Sequence, residues 1–98
     1  MNYTLHQLAL FLKVIETQSI TKTAEAMHLS QPAVSIQLKN FQKQFFIPLI
    51  EIINKRVYIT EFGHEIAQSA QNIINELKSI DDRLVKYNGS LTGTLKIA

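Results

Sequence analysis

Leu5, Leu8, Phe11, Leu12 and Ile15 recur at intervals of three and four, the period of one helix face. Thr4 precedes them and Gln7 follows it by three positions, the spacing of a capping box, so a first helix is expected over Leu5–Thr17. Gln18-Ser19 breaks the pattern. Ser19 suits the N-cap of a short second helix with Ile20, Ala24 and Met27 inward, and the small residues Ala24 and Ala26 permit close packing. His28-Leu29 leaves a tight connection before Ser30, another capping residue, and Pro32 falls in the first helical turn, where its missing N–H costs nothing. A third helix therefore starts here and runs over about residues 30–45. Val34, Leu38, Phe41 and Phe45 form its packing stripe, while Pro32, Ile36, Lys39 and Lys43 fall on the free side.

Pro48 ends the helical pattern. Leu49 to Ile53 and Val57 to Ile59 are rich in β-branched residues and separated by Asn54-Lys55, a polar turn of hairpin length, which predicts a two-stranded wing. Thr60 then caps a long helix in which Ile66, Ala70, Ile73, Leu77, Ile80, Leu84 and Tyr87 alternate by four and three, a heptad seam. Such a seam is expected to meet a second copy of the chain, or else to pack on the first helix. Asn88-Gly89 stops the helix, and Leu91 to Ala98 alternates apolar and polar residues like the start of a strand. The expected organisation is mainly α: a winged helix-turn-helix over 1–60, a linker and dimerisation helix over 61–88, and over 89–98 the beginning of a further domain.

Composition narrows the function. Apolar residues make up 46% and charged residues 18% of the 98 positions, enough to fold one core and too little charge for a disordered chain. The absence of cysteine removes disulfides, thiolate metal sites and thiol nucleophiles. No apolar run is long enough for a membrane span or signal peptide, so a cytoplasmic protein is expected. A net charge of +2 is mild, but its distribution is uneven. Lys39, Lys43, Lys55 and Arg56 face only Glu51 in the middle of the chain, whereas over residues 61–82 Glu61, Glu65, Glu76, Asp81 and Asp82 stand against Lys78. His6, His28 and His64 fall on or beside three different helices without metal-ligand spacing, and Asp81-Asp82 reads as solvated charge. Neither an enzyme nor a cofactor is implied.

Two short helices joined by a tight turn match the helix-turn-helix plan, in which the second helix enters the DNA major groove. Gln31 and Ser35 then face base edges, where glutamine can pair with both edge atoms of adenine, and Pro32 with Ala33 forms a slim apolar tip suited to thymine methyls. Ser30 and Pro32 alone would signal no more than helix initiation. In this context the sequence resembles the N-terminal region of LysR-type transcription regulators over nearly its whole length. The matching stretches are Leu8 to Ser19, Ala24 to Ser35, Ile47-Pro48-Leu49 and Val57 to Gly63. Val34-Ser35-Ile36-Gln37 and Lys55-Arg56-Val57-Tyr58 resemble the branch of carbon- and nitrogen-assimilation regulators.

The resemblance implies a bacterial regulator that binds double-stranded DNA as a dimer or tetramer on an inverted repeat. A small-molecule effector would enter only through a domain C-terminal to this region. Carried over by position, Gln31, Pro32, Ala33 and Ser35 read bases, Lys55 or Arg56 at the wing tip reaches the minor groove, and Ser30 and Lys39 hold phosphates. Ile66, Ala70, Ile73, Leu77, Ile80 and Leu84 are the expected dimerisation residues. Three departures stand out. Ile36 replaces a common arginine and leaves only an apolar contact; Phe46 stands where a helix-ending glycine is usual; and Ile50, Ile52 and Ile53 make the first wing strand unusually apolar. The alternative from a different functional class is a protein-interaction module acting through the heptad helix.

Overall fold

The computed structural model describes residues 2–54 and 56–88. It comprises α1 (Leu5–Thr17), α2 (Ile20–Met27), α3 (Gln31–Gln42), β1 (Ile50–Ile53), β2 (Arg56–Ile59) and α4 (Glu61–Asn88), with β1 and β2 antiparallel. This is a winged helix-turn-helix followed by a long helix. The expected strand over Leu91 to Ala98 lies outside the described residues.

The caps are those expected from the sequence. Thr4 and Gln7 form a reciprocal capping box, Ser19 accepts from the Lys22 N–H, and Ser30 accepts from the Ala33 N–H at 3.1 Å. Thr60 starts α4 by accepting from the Gly63 N–H at 2.9 Å. Both junctions turn on left-handed residues, Gln18 (φ 55) and His28 (φ 57), which cap α1 and α2 and let the chain change direction into the next helix.

The core surrounds α1, which touches α2, α3, α4 and β2. A helix enclosed on so many sides buries more than one stripe: Leu8, Leu10, Phe11 and Val14 are buried, while Leu5, which the periodicity places inside, is half exposed at 49%. Ala26 is likewise exposed, so Ala24 alone provides the close approach in α2. Beside it Thr23, fully buried, bonds through its hydroxyl to that of Thr17 at 2.8 Å, bracing the α1–α2 corner. An aromatic chain continues the core outward. Phe11 packs on Phe41, Phe41 meets Phe45 edge-on, and Tyr3 stacks flat on Phe45 with ring centres 5.2 Å apart. Of these rings Phe11 and Phe41 are fully buried, and each contributes roughly 1.5–3 kcal/mol by removal from water.

The third helix ends at Gln42, short of the expected residue 45, with Lys43 as a right-handed cap. Phe46 is not left-handed, since Gln18, His28 and Asn54 are the positive-φ residues among those described. A run of turns thus replaces the glycine stop and leaves Phe46 wholly in solvent. Gln42 uses the early stop: its side-chain oxygen accepts the N–H groups of Leu49 (3.0 Å) and Ile50 (3.1 Å), pinning the root of the wing to the end of α3.

Candidate nucleic-acid interface

Burying Val34, Leu38 and Phe41 fixes the rotation of α3 and turns its opposite side to solvent. Gln31, Pro32, Ser35, Ile36, Lys39 and Lys43 are all exposed, with Ile36 at 59%, and Ala33 is half-buried. The Ser30 hydroxyl is engaged as the cap, which orients the first turn of the helix. Arg56 is exposed at the first position of β2, paired with Ile53. Asn54 (φ 53) supplies the left-handed residue that a tight hairpin turn requires. Lys55 lies outside the described residues. Among those described the one ion pair is Lys13–Glu16 on α1, so no described carboxylate lies within ion-pairing distance of Lys39, Lys43 or Arg56.

The structure brings these residues together in two groups. Gln31 and Ser35 share a cleft with Ser19, Ile20 and Thr21 from the start of α2 and with Ile52 from the wing. Lys39 and Lys43 lie apart from it, beside Gln42, Phe46 and Pro48 at the root of the wing. The sequence reading missed the contribution of α2. Its signal was the Ser19 cap, but only the folded angle between α2 and α3 shows that two capped helix N-termini open on one cleft. Free N–H groups and the positive ends of both helix dipoles converge there, an arrangement that favours anionic groups such as phosphates.

The seam on α4 divides. Ala70 is buried at 1% and Ile66 packs against the core, so these two belong to the chain's own interior. Ile73 (43%), Leu77 (36%), Ile80 (60%) and Leu84 (61%) are exposed, as is Tyr87. Packing on α1, one of the two expectations for the seam, therefore holds for its first turns only. Beyond them it is Ile74, on the neighbouring stripe, that faces α1 across a groove lined by Leu12 and Ile15.

The fold and this exposed, partly basic face define a winged helix-turn-helix protein of the DNA-binding architecture. A family model described as bacterial regulatory helix-turn-helix protein, lysR family, matches residues 5–64. The chain belongs to that family. It is 36% identical over 97 residues to the HTH-type transcriptional activator CmpR of Synechocystis sp., covering 99% of this chain and 32% of that protein. It is also 36% identical over 98 residues to a RuBisCO operon transcriptional regulator of Allochromatium vinosum, covering 100% and 32%. Relatives of these names agree with the carbon-assimilation branch expected from Val34 to Gln37. The chain thus spans about a third of the length of these curated relatives. Among solved structures, the BenM DNA-binding domain in complex with benA site 1 DNA superposes with a TM-score of 0.80 at 28% identity, over 87% of this chain and 99% of that one. No helix among the described residues is long and apolar enough to cross a membrane.

Proposed function

We propose that this chain is the DNA-reading portion of a cytoplasmic transcription regulator, acting as a dimer on an imperfect inverted repeat. One observation carries the reading: the first turn of α3, locked by Ser30 and by the buried Val34, presents Gln31 and Ser35 beside a wing whose first β2 residue is Arg56. In this reading α3 enters the major groove, the wing reaches the adjacent minor groove, and phosphates bind Lys39 and the converging starts of α2 and α3. Ile73, Leu77, Ile80 and Leu84 supply the contact to a second copy, and the two-fold symmetry of that pair imposes the inverted repeat on the DNA. Catalysis has no part in it. In the longer protein a C-terminal domain would take a small-molecule effector, and pairs of dimers would form tetramers.

Selection of bound sites from random duplexes is the direct test. Two half-sites in inverted orientation, protected together and bound with dimer stoichiometry, are expected. Binding to single unpaired half-sites by monomers would overturn the geometry.

Ile52 gives a separate expectation. At 55% exposed in the cleft with Gln31 and Ser35, it offers no charge where the DNA backbone would pass. Ile52→Arg should add one phosphate contact and steepen the dependence of log affinity on log salt by about 1. An unchanged slope in a salt titration would show that the wing strand does not approach the backbone.

A further inference from the structure

Ile36 is the one large apolar side chain of α3 that stays in solvent among the described residues, at 59% exposed. It takes no part in the core, which α3 enters through Val34, Leu38 and Phe41. Nor does it favour the helix, since a β-branched side chain loses rotamer freedom there. At about 3.6 residues per turn it lies about 190° round the axis from the centre of the buried stripe, so it points as squarely away from the core as the helix allows. Pro32, also exposed, lies one turn before it on the same side.

The residues around this pair are polar. Gln31 and Ser35 lie along one flank, and Lys39 and Asn40 occupy the next turn, all of them exposed. An α3 that enters the major groove thus turns a small apolar tip toward the floor of the groove, with hydrogen-bonding side chains beside it and a charge behind it.

Base edges in that groove carry donors and acceptors, and one apolar group among them, the 5-methyl group of thymine. Isoleucine has neither donor nor acceptor to offer. Against a bare cytosine edge it would shield the amino group from water and gain little contact. Against a methyl group it removes apolar surface from water on both sides. We propose that Ile36 is a methyl reader: at one position of each half-site it selects a pyrimidine that carries a 5-methyl group over cytosine. This rests on the DNA reading above and goes further in naming the group that is read. Because Ile36 forms no hydrogen bond with the substituent at C4 of the ring, the methyl group and not the base is what it selects. A 5-methylcytosine therefore satisfies it nearly as well as a thymine, and methylation of a cytosine at this position raises affinity.

Uracil lacks only the methyl group of thymine, so replacing each thymine of a selected operator by uracil in turn gives the test. The unaltered chain should lose about three- to fivefold in affinity at one position of each half-site. Ile36→Ala, with an unchanged melting temperature, should abolish that loss and leave the response at every other uracil as it was. Ile36→Val keeps a branched apolar end and should retain most of it. Cytosine at the same position should weaken binding by the unaltered chain, and 5-methylcytosine should recover most of the loss there and none of it in Ile36→Ala. A uracil profile that is the same with and without Ile36 overturns the methyl reader and leaves the DNA reading standing. A loss on uracil that 5-methylcytosine does not recover overturns the acceptance of the methylated cytosine and keeps thymine as the base whose methyl is read. If no operator is selected over random duplex, both readings fall.

Discussion

Gly63→Ala is expected to destabilise the fold by about 2–4 kcal/mol and to lower the melting temperature by roughly 10–25 °C. Gly63 lies in the first turn of α4, and a Cβ there would stand 2.0 Å from the Leu49 carbonyl oxygen and 3.0 Å from Ile59 Cγ2. The oxygen belongs to the backbone and cannot rotate away. It is also in use, accepting the Thr60 N–H at 3.1 Å with the Thr60 hydroxyl at the same distance. Making room for one methyl group thus requires α4 to withdraw from the root of the wing, which would break the Thr60 bonds and open the aromatic packing of Phe62 on Phe45. In a domain whose whole stability is on the order of 5–15 kcal/mol, that is a large fraction. The matching control is Asn72→Ala, an exposed change two turns further along the same helix, which should stay within about 0.5 kcal/mol in the same thermal melt. If Gly63→Ala melts with the control, α4 is not docked as closely as the carbonyl contact requires. Because the start of α4 anchors the root of the wing through Thr60, surviving Gly63→Ala protein should also bind DNA with a steeper loss than its folded fraction explains.

The consequences of Gly63 show where sequence reasoning stopped. Caps and turn residues act locally, so Thr4, Ser19, Ser30, Thr60 and the Asn54 turn could all be placed from residue type and spacing, and the helix-turn-helix with its wing followed from them. What needed the fold was every close approach between elements distant in the chain. Gly63 is an ordinary glycine until Leu49 is brought against it. Leu10 and Val14 fall off the single apolar stripe of α1 because that helix is enclosed on several sides, which no periodicity argument anticipates. Gln42 reads as a polar surface residue, yet its side chain holds two backbone N–H groups of the wing. Likewise the heptad pattern of α4 was legible as one seam, but the point where it passes from the core to solvent, between Ala70 and Ile73, is set by where the domain ends. For the site, the α3 residues could be named in advance; the cleft they share with Ser19, Ile20, Thr21 and Ile52 could not.

Gln31→Ala and Ser35→Ala should each weaken binding to the selected operator by roughly 1–3 kcal/mol, about five- to 150-fold, while leaving the melting temperature unchanged. Both residues are exposed on the first turns of α3, and the side chains that hold the helix, Val34, Leu38 and Phe41, lie on its other face. The effect should also be confined to sequence reading. Neither residue neutralises a phosphate, so binding to unrelated duplex and the salt slope should stay as they are, and Gln31→Ala should relax the preference at one base position. Lys39→Ala is the contrasting case: its loss should weaken all duplexes alike and reduce the salt slope by about 1. This pair of outcomes separates the two functional classes raised by the sequence. A module that worked only by pairing through α4 would be indifferent to Gln31 and Ser35 and would lose its activity with Leu84→Ala. A DNA reader loses specificity with the first two and, through the symmetry of its operator, loses affinity for the full inverted repeat with the third.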